Sequence, residues 1–199
     1  MKYIYILLFL NLSWSFAQTA VFINEIHYDN ASSDVGEGFE IAGPAGTDLS
    51  TYTVTKYNGS NNSVYGDISL SGVIPDQSGG YGVIWFGLST NGLQNGAPDG
   101  LALDNNGALI QFLTYEGSII ASDGPAVGVT SEDIGVSETG STSVGESLQL
   151  IGSGTTYEDF RWNGPSANTN DAINTGQSFG VVTDPTLSIS NPTNNTTFY

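Results

Sequence analysis

The sequence predicts an all-β protein whose short antiparallel strands form a sandwich or a barrel. Nine short runs rich in β-branched or aromatic residues are each bounded by residues that favour turns. The chain is also rich in Gly, Ser, Thr and Asn, and it shows no amphipathic helical pattern. With 199 residues, it has room for one domain with a sizeable core and for the beginning of another.

The predicted strands follow one another along the chain, most of them separated by short turns. Their ranges are 21–28, 38–42, 52–57, 64–70, 82–87, 101–104, 108–115, 147–151 and 159–162. The strongest turn signal is Asn106-Gly107, because both residues tolerate the positive φ angles of a tight hairpin turn. It predicts a hairpin over residues 101–115. Asn58-Gly59 marks another turn, after strand 52–57.

One connection is much longer than the others. Residues 116–146 are rich in Gly, Ser, Thr and acidic residues, whereas most connections in compact domains have about 4 to 6 residues. Ile119 and Ile120 near its start favour contact of at least one end with the core. The segment is therefore either a packed surface excursion or a mobile binding loop.

Residues 1–17 have the features of a secretory signal peptide. Lys2 precedes an apolar run that ends in Ser15-Phe16-Ala17, with small residues at the positions that a signal peptidase recognises. A membrane anchor is the alternative, but Asn11 and Ser13 interrupt the run, which is shorter than the roughly 20 residues of a membrane span. We expect cleavage after Ala17, no membrane insertion of the mature protein, and a secreted or cell-surface location.

Residues 18–180 would then form the domain, and residues 181–199 differ from it in composition. This tail is a Pro-containing connector followed by one alternating apolar pair, Leu187 and Ile189. A single strand cannot bury its own face. The tail is therefore either a frayed terminus or, as we expect, a linker and the start of a truncated second β-domain.

Charge is the strongest feature of the composition. The chain has 20 acidic and 3 basic residues, and loss of Lys2 with the signal peptide would leave Lys56 and Arg161, a net charge of 2 − 20 = −18. Such a surface repels phosphate groups, so we expect no direct binding of nucleic acid or anionic lipid. The absence of cysteine from the sequence excludes disulfides, thiol catalysis and thiolate metal sites.

Five segments come in the order and spacing of the lamin tail domain. They are FINEIHYDN, GEGFEIAGPAG, DLSTYTVTKYNG, GGYGVIWFG and LALDNNGALIQFLTYEG. The sequence thus resembles this family over most of residues 21–179, and the later segment DGPAVGVTSEDIGVSE is similar to its secreted bacterial branch. The resemblance implies an immunoglobulin-like antiparallel β-sandwich. The tail is similar to the immunoglobulin-like repeats that follow such domains, which favours truncation.

Gly38 departs from the family pattern, which usually has a large apolar residue at this position. A glycine inside a strand is typical of a bulge or of a weakened edge. We therefore expect irregular pairing of strand 38–42.

The lamin tail fold carries no catalytic residues of its own, so the resemblance implies a chain that is not an enzyme. In secreted bacterial proteins the domain often accompanies nuclease or phosphoesterase domains. We expect a binding, targeting or spacer module of a larger extracellular protein, with a glycan or a protein as its ligand. The alternatives are an N-terminal accessory domain of a secreted nuclease or phosphoesterase, and a calcium-stabilised carbohydrate-binding or adhesion module.

The single histidine, His27, lies between Glu25 and Asp29 in the first predicted strand. An extended strand would place all three side chains on one face, about 6 to 7 Å apart at each step. Catalysis by His27 would need an activated nucleophile, and the chain has no Gly-x-Ser-x-Gly elbow. We therefore expect His27 to be a partly exposed strand residue rather than a catalytic base.

A metal site in this chain would have to be built from oxygen ligands. One histidine and no cysteine exclude a typical zinc site. Asp29, Asp34 and Glu37 lie in one Gly-containing loop and are candidate calcium ligands, although their spacing does not follow the EF-hand pattern. The alternative interpretation is a solvated acidic loop without metal, and no other cofactor is indicated.

Glycoside hydrolysis requires a pair of carboxylates, which Glu25, Glu37 and Glu40 could supply. Three aromatic side chains could stack on sugars, although aromatic residues in strands usually serve packing; they are Tyr57, Tyr81 and Trp85. A two-metal nuclease or phosphatase site would need several His and Asp residues that the sequence lacks. The residues therefore favour a carbohydrate-binding module over a hydrolase.

Overall fold

The computed structural model describes residues 19–96 and 98–180 and shows an all-β, immunoglobulin-like β-sandwich. The predicted signal peptide, 1–17, and the predicted tail, 181–199, lie outside the described residues. The strands are β1 (Phe22–His27), β2 (Gly38–Pro44), β3 (Tyr52–Asn58), β4 (Ser63–Ser69), β5 (Tyr81–Gly87), β6 (Asp99–Asn105), β7 (Ala108–Tyr115), β8 (Glu132–Asp133), β9 (Glu146–Gly154), β10 (Phe160–Ala167) and β11 (Gln177–Phe179).

Two sheets form the sandwich. The first has the order β10-β9-β1-β2-β5 with antiparallel neighbours, and β11 pairs with β9 in parallel. The second has the order β4-β3-β6-β7-β8, in which the β7 and β8 pair is parallel. Among the described residues, no helix is long and apolar enough to cross a membrane.

All nine predicted strands are present, with ends that differ by a few residues. The predicted hairpin is confirmed, because Asn106 and Gly107 join β6 to β7 with φ angles of 50° and 80°. β8 and β11 were not predicted, since strands of two and three residues are too short to show alternation.

The core lies between the sheets and consists of fully buried apolar side chains. The first sheet contributes Ile23, Ile26, Phe39, Ile41 and Leu148. The second sheet contributes Val54, Leu101, Leu103 and Leu113. Each of these side chains stabilises the fold by roughly 1.5–3 kcal/mol relative to exposure. In the same core, the rings of Tyr28 and Tyr115 stack with 3.7 Å between their centroids.

A bulge in β1 determines which of its side chains face the core. The pairing of β1 with β2 shifts register between Ile23 and Glu25. In a regular strand Ile23 and Ile26 would point to opposite faces, because side chains alternate with a period of two. The bulge allows both isoleucines to enter the core. Glu25, which is paired with Glu40, is left on the opposite face of the sheet.

The long segment 116–146 is a packed surface excursion rather than a mobile binding loop. Ile119, Ala121 and Ala126 pack against Tyr57 and Phe112 on the outer face of the second sheet. Further along the segment, β8 pairs with β7. The excursion thus adds a third layer, which holds its acidic residues at defined positions on the sandwich.

A second covering segment, residues 168–180, crosses the outer face of the first sheet at Thr169 and Asp171 and ends in β11, which pairs with β9. Phe179 packs there against Phe22, Tyr81 and Phe160, with ring centroids 5.3 to 6.4 Å apart. This cluster is separate from the core between the sheets. The polar residues that precede Phe179 are therefore placed above β1 and β2.

Gly38 itself marks neither a bulge nor an edge strand, and the irregular pairing of β2 lies further along, opposite the bulge between Ile23 and Glu25 of β1. Gly38 pairs in regular register with His27 on one side and with Gly87 on the other, so β2 is an interior strand. A Cβ atom at this position would lie 2.6 Å from a ring carbon of Trp85 and would also clash with the Phe86 carbonyl. Glycine is required here because the Trp85 ring crosses directly over the backbone.

Replacement of Gly38 by alanine should destabilise the protein by about 1–3 kcal/mol, the usual effect of overpacking. The measurement is urea denaturation of the variant and of the parent chain. Gly66→Ala is the matched control, since its Cβ would meet only the flexible end of Lys56 at 3.2 Å. Equal stability of the two variants would show that the Trp85 contact imposes no constraint.

Candidate functional site

His27 is buried, with 2% of its surface exposed, so the prediction of a partly exposed residue is wrong. Its Nδ1 atom lies 2.8 Å from Oε1 of Glu138, a fully buried residue of the 116–146 excursion. The other oxygen of Glu138 accepts hydrogen bonds from the backbone N–H groups of Tyr28 (2.6 Å) and Asp29 (3.0 Å). Asn30 contacts Nε2 of His27 at 2.7 Å. Both ring nitrogens are therefore occupied by internal partners.

The pKa of His27 is raised above its ordinary value. Burial lowers the pKa of this imidazole, but the hydrogen bond and the charge of Glu138, together with the Val35 carbonyl and the charge of Glu37, raise it by more. A buried histidine that is paired with a carboxylate on one nitrogen and an amide on the other cannot contact a substrate. His27 thus connects β1 to the excursion.

The side chains of the three calcium candidates are buried, although residues 31–33, 35 and 36 of the same loop are exposed. Oδ1 of Asp34 accepts a hydrogen bond from the N–H of Asn30, and Oδ2 accepts one from the side chain of Asn95, both at 3.1 Å. The carboxyl of Asp29 lies beside Asp34. Burial, followed by the charge of Asp34, raises the pKa of Asp29.

The third candidate, Glu37, is directed toward a different loop. Its two oxygens accept the N–H groups of Gly92 (2.6 Å) and Leu93 (3.0 Å). Within residues 19–96 and 98–180, no three acidic or histidine side chains are arranged to hold a metal ion. The structure thus brings Asp29 and Asp34 together, whereas both oxygens of Glu37 bind the backbone of another loop. Calcium binding stays a prediction.

The carboxylates considered for glycoside hydrolysis have no access to solvent. Glu25 is fully buried and accepts hydrogen bonds from Ser147 (2.6 Å) and from the hydroxyl of Thr169 (2.8 Å). Glu40 is fully buried beside it and accepts hydrogen bonds from the side chain of Asn24 and the N–H of Asp171, both at 2.9 Å. Both acids hold the 168–180 segment on the first sheet rather than facing a cleft.

The aromatic residues considered for sugar stacking are used in packing. Tyr57 is fully buried, and its hydroxyl binds the backbone of Asp123 and Ala126. Trp85 lies over Gly38. The Tyr81 ring stacks on Phe179 at 5.3 Å. None of the three lines the cleft described next.

A polar cleft of about 550 Å³ lies where the β1–β2, β3–β4 and β5–β6 connections meet. It is lined mainly by amide, hydroxyl and acidic side chains: Asp34, Asn58, Ser60, Asn91, Gln94, Asn95 and Asp99. Asn58-Gly59 is a predicted turn, but the sequence does not predict the cleft. The one sequence signal is an Asn-Gly dipeptide that recurs in separate loops. This dipeptide predicts turns, but it does not predict that the turns lie next to one another in the fold.

The loops around the cleft are held from behind by buried groups. Glu37 binds the N–H groups of residues 92 and 93, as described above, and Asp99 accepts the N–H of Gly59 at 2.8 Å. The backbone of Gln94 is held on both sides, because its N–H donates to the Tyr65 hydroxyl and its carbonyl accepts from the Tyr115 hydroxyl. The amide side chains on the cleft surface are therefore presented by a fixed backbone.

Comparison of the chain with protein-family models, with curated proteins and with solved structures finds no match.

The buried position of Glu40 predicts a dependence of stability on pH. Burial, and then the neighbouring charge of Glu25, raise the pKa of Glu40 from 4.5 to about 9, against the effect of its hydrogen-bond donors. The folded state therefore favours the protonated form of Glu40, and protonation of Glu40 stabilises the fold. Its contribution is complete below about pH 4.5 and is lost as the pH rises toward about 9.

Urea denaturation of the parent chain and of Glu40→Gln across this pH range tests the prediction. The free energy of unfolding of the parent, relative to that of the variant, should fall with rising pH by an amount on the order of a few kcal/mol. Asp67→Asn, a change at an exposed acid of β4, serves as control. A difference between parent and Glu40→Gln that does not vary with pH would contradict the assignment.

Proposed function

We propose that this chain is a secreted, non-catalytic binding module of a larger extracellular protein, related to the lamin tail domains. The signal-like residues 1–17 support secretion, and the ordered series of five lamin-tail-like segments supports the relationship. The immunoglobulin-like sandwich is compatible with both. A fold of this kind hosts many functions, so the proposal depends on what its surface offers a ligand.

The observation that carries the proposal is the position of the acidic and histidine side chains. Four side chains that could serve as catalytic acids or bases are fully or almost fully buried and bound to internal partners; they are Glu25, His27, Glu37 and Glu40. The polar cleft instead presents amides from three loops on fixed backbone. Such amides can recognise a ligand through hydrogen bonds but cannot act as a nucleophile or a general base. The two acids of the cleft, Asp34 and Asp99, are buried and accept hydrogen bonds from internal N–H groups.

The chemistry of the cleft favours a neutral glycan as its ligand. Each amide side chain both donates and accepts hydrogen bonds, which suits hydroxyl groups that do the same. The excess of acidic residues disfavours anionic ligands. A volume of about 550 Å³ is within the usual range of small-molecule sites.

A glycan array probed with the mature chain tests this function. Gln94→Ala removes one cleft amide while the backbone of residue 94 keeps its two tyrosine partners. We expect this variant to bind the selected glycan at least about tenfold more weakly, a loss of about 1.4 kcal/mol. Asn170→Ala, at an exposed amide outside the cleft, should bind as the parent does.

Two results would contradict the proposal. One is that the folded parent chain binds no glycan on the array. The other is that Gln94→Ala and the parent bind the same glycan with equal affinity, since the binding surface would then lie elsewhere.

A further inference from the structure

The chain contains five Asn-Gly sequences, at residues 58–59, 91–92, 95–96, 106–107 and 163–164. Asn-Gly is the dipeptide most prone to spontaneous deamidation, because glycine offers no steric hindrance to ring closure. The glycine nitrogen loses its proton and bonds to Cγ of the asparagine, and ammonia leaves. Water then opens the resulting succinimide to aspartate or isoaspartate. An extracellular protein that is not resynthesised in place is exposed to this reaction throughout its life.

In three of the five sequences, the N–H of the attacking glycine donates a hydrogen bond to a carboxylate, and in a fourth it faces one. Gly92 donates to Glu37 at 2.6 Å, Gly107 to Asp104 at 2.7 Å and Gly59 to Asp99 at 2.8 Å. The N–H of Gly96 faces the same Asp99 carboxyl, close enough to favour its charged form. Three acidic side chains therefore bind three of the glycine nitrogens that succinimide formation requires, and Asp99 faces a fourth.

These hydrogen bonds oppose the reaction in two ways. A carboxylate stabilises the N–H form of the amide and, through its negative charge, disfavours loss of the proton. The same bond fixes the glycine nitrogen in the direction of the carboxylate, so that it cannot turn toward its own asparagine. The acceptors are held firmly, because Glu37, Asp99 and Asp104 are 0%, 2% and 5% exposed.

The fifth sequence, Asn163-Gly164, is different. It lies in β10, at the end of the sheet order, where the pairing with β9 shifts register between Asn163 and Ser166. The side chain of Asn163 is exposed. Within the described part of the chain, no carboxylate accepts the N–H of Gly164.

We propose that Glu37, Asp99 and Asp104 protect four Asn-Gly sequences from deamidation, and that Asn163 is the site at which the folded chain deamidates. Three of the protected residues, Asn58, Asn91 and Asn95, line the polar cleft. Deamidation there would replace neutral amides with charged groups. The protection does not depend on what the cleft binds, so it stands or falls separately from the proposed glycan binding.

Peptide mapping by mass spectrometry after incubation of the full chain in mildly alkaline buffer tests the proposal. It detects replacement of ammonia by water at each asparagine. In the folded parent chain, Asn163 should convert at least about tenfold faster than the other four, a factor that corresponds to about 1.4 kcal/mol of barrier. In urea, all five should convert at similar rates.

Asp104→Ala then isolates one protecting group. Conversion should increase at Asn106 alone, by about tenfold or more, and Asp104→Asn, which keeps an oxygen acceptor without the charge, should give an intermediate rate. Asp67→Ala, an exposed acid on the same sheet, is the control and should change no site. If Asp104→Ala is too unstable, Glu37→Gln provides the same test at Asn91.

Two outcomes would overturn the proposal. One is conversion at the four sequences whose glycine N–H faces a carboxylate as fast as at Asn163 in the folded parent. The other is an Asp104→Ala variant in which Asn106 is unchanged or slower, or in which all five sites accelerate together, since a general loosening of the fold would then be the cause.

Discussion

The arrangement of this protein depends on how it stabilises buried carboxylates almost without cations. Lys56 and Arg161 are the only basic residues after Lys2, and the pair of His27 with Glu138 is the one salt bridge among the described residues. An isolated buried carboxylate is strongly unfavourable, so each must be protonated or must accept hydrogen bonds. Here most of the donors are backbone N–H groups of loops, and burial of the acid therefore fixes the loop.

Hydrogen bonds from loops to buried carboxylates also hold the outer layers of the sandwich in place. Glu138 brings the long excursion to the start of the β1–β2 connection, Glu25 and Glu40 hold the 168–180 segment, and Glu37 holds the β5–β6 connection. The side chains that suggest catalysis in the sequence are thereby used for structure. What remains on the surface is a cleft of amides on rigid loops, and two buried acids, Glu37 and Asp99, bind glycine nitrogens next to those amides.

The strands were predictable because their signals are local. Alternating apolar residues and Asn106-Gly107 specify β6, β7 and their turn within seventeen residues. The burial of His27 was not predictable in this way, since its partner Glu138 lies 111 residues away. The role of Gly38 likewise depends on the Trp85 ring of another strand. Convergence of three separate turns into the cleft is a property of the sandwich, and no single turn encodes it.

Hydrogen exchange of individual backbone amides tests the central claim most directly. The N–H groups of Tyr28, Asp29, Gly92 and Leu93 lie outside the strands and bond to side-chain carboxylates of Glu138 and Glu37. If buried carboxylates hold the loops, these four amides should exchange as slowly as amides of the central strands, through global unfolding. Exchange at the rates of unprotected loop amides would show that the loops open freely and would contradict the account.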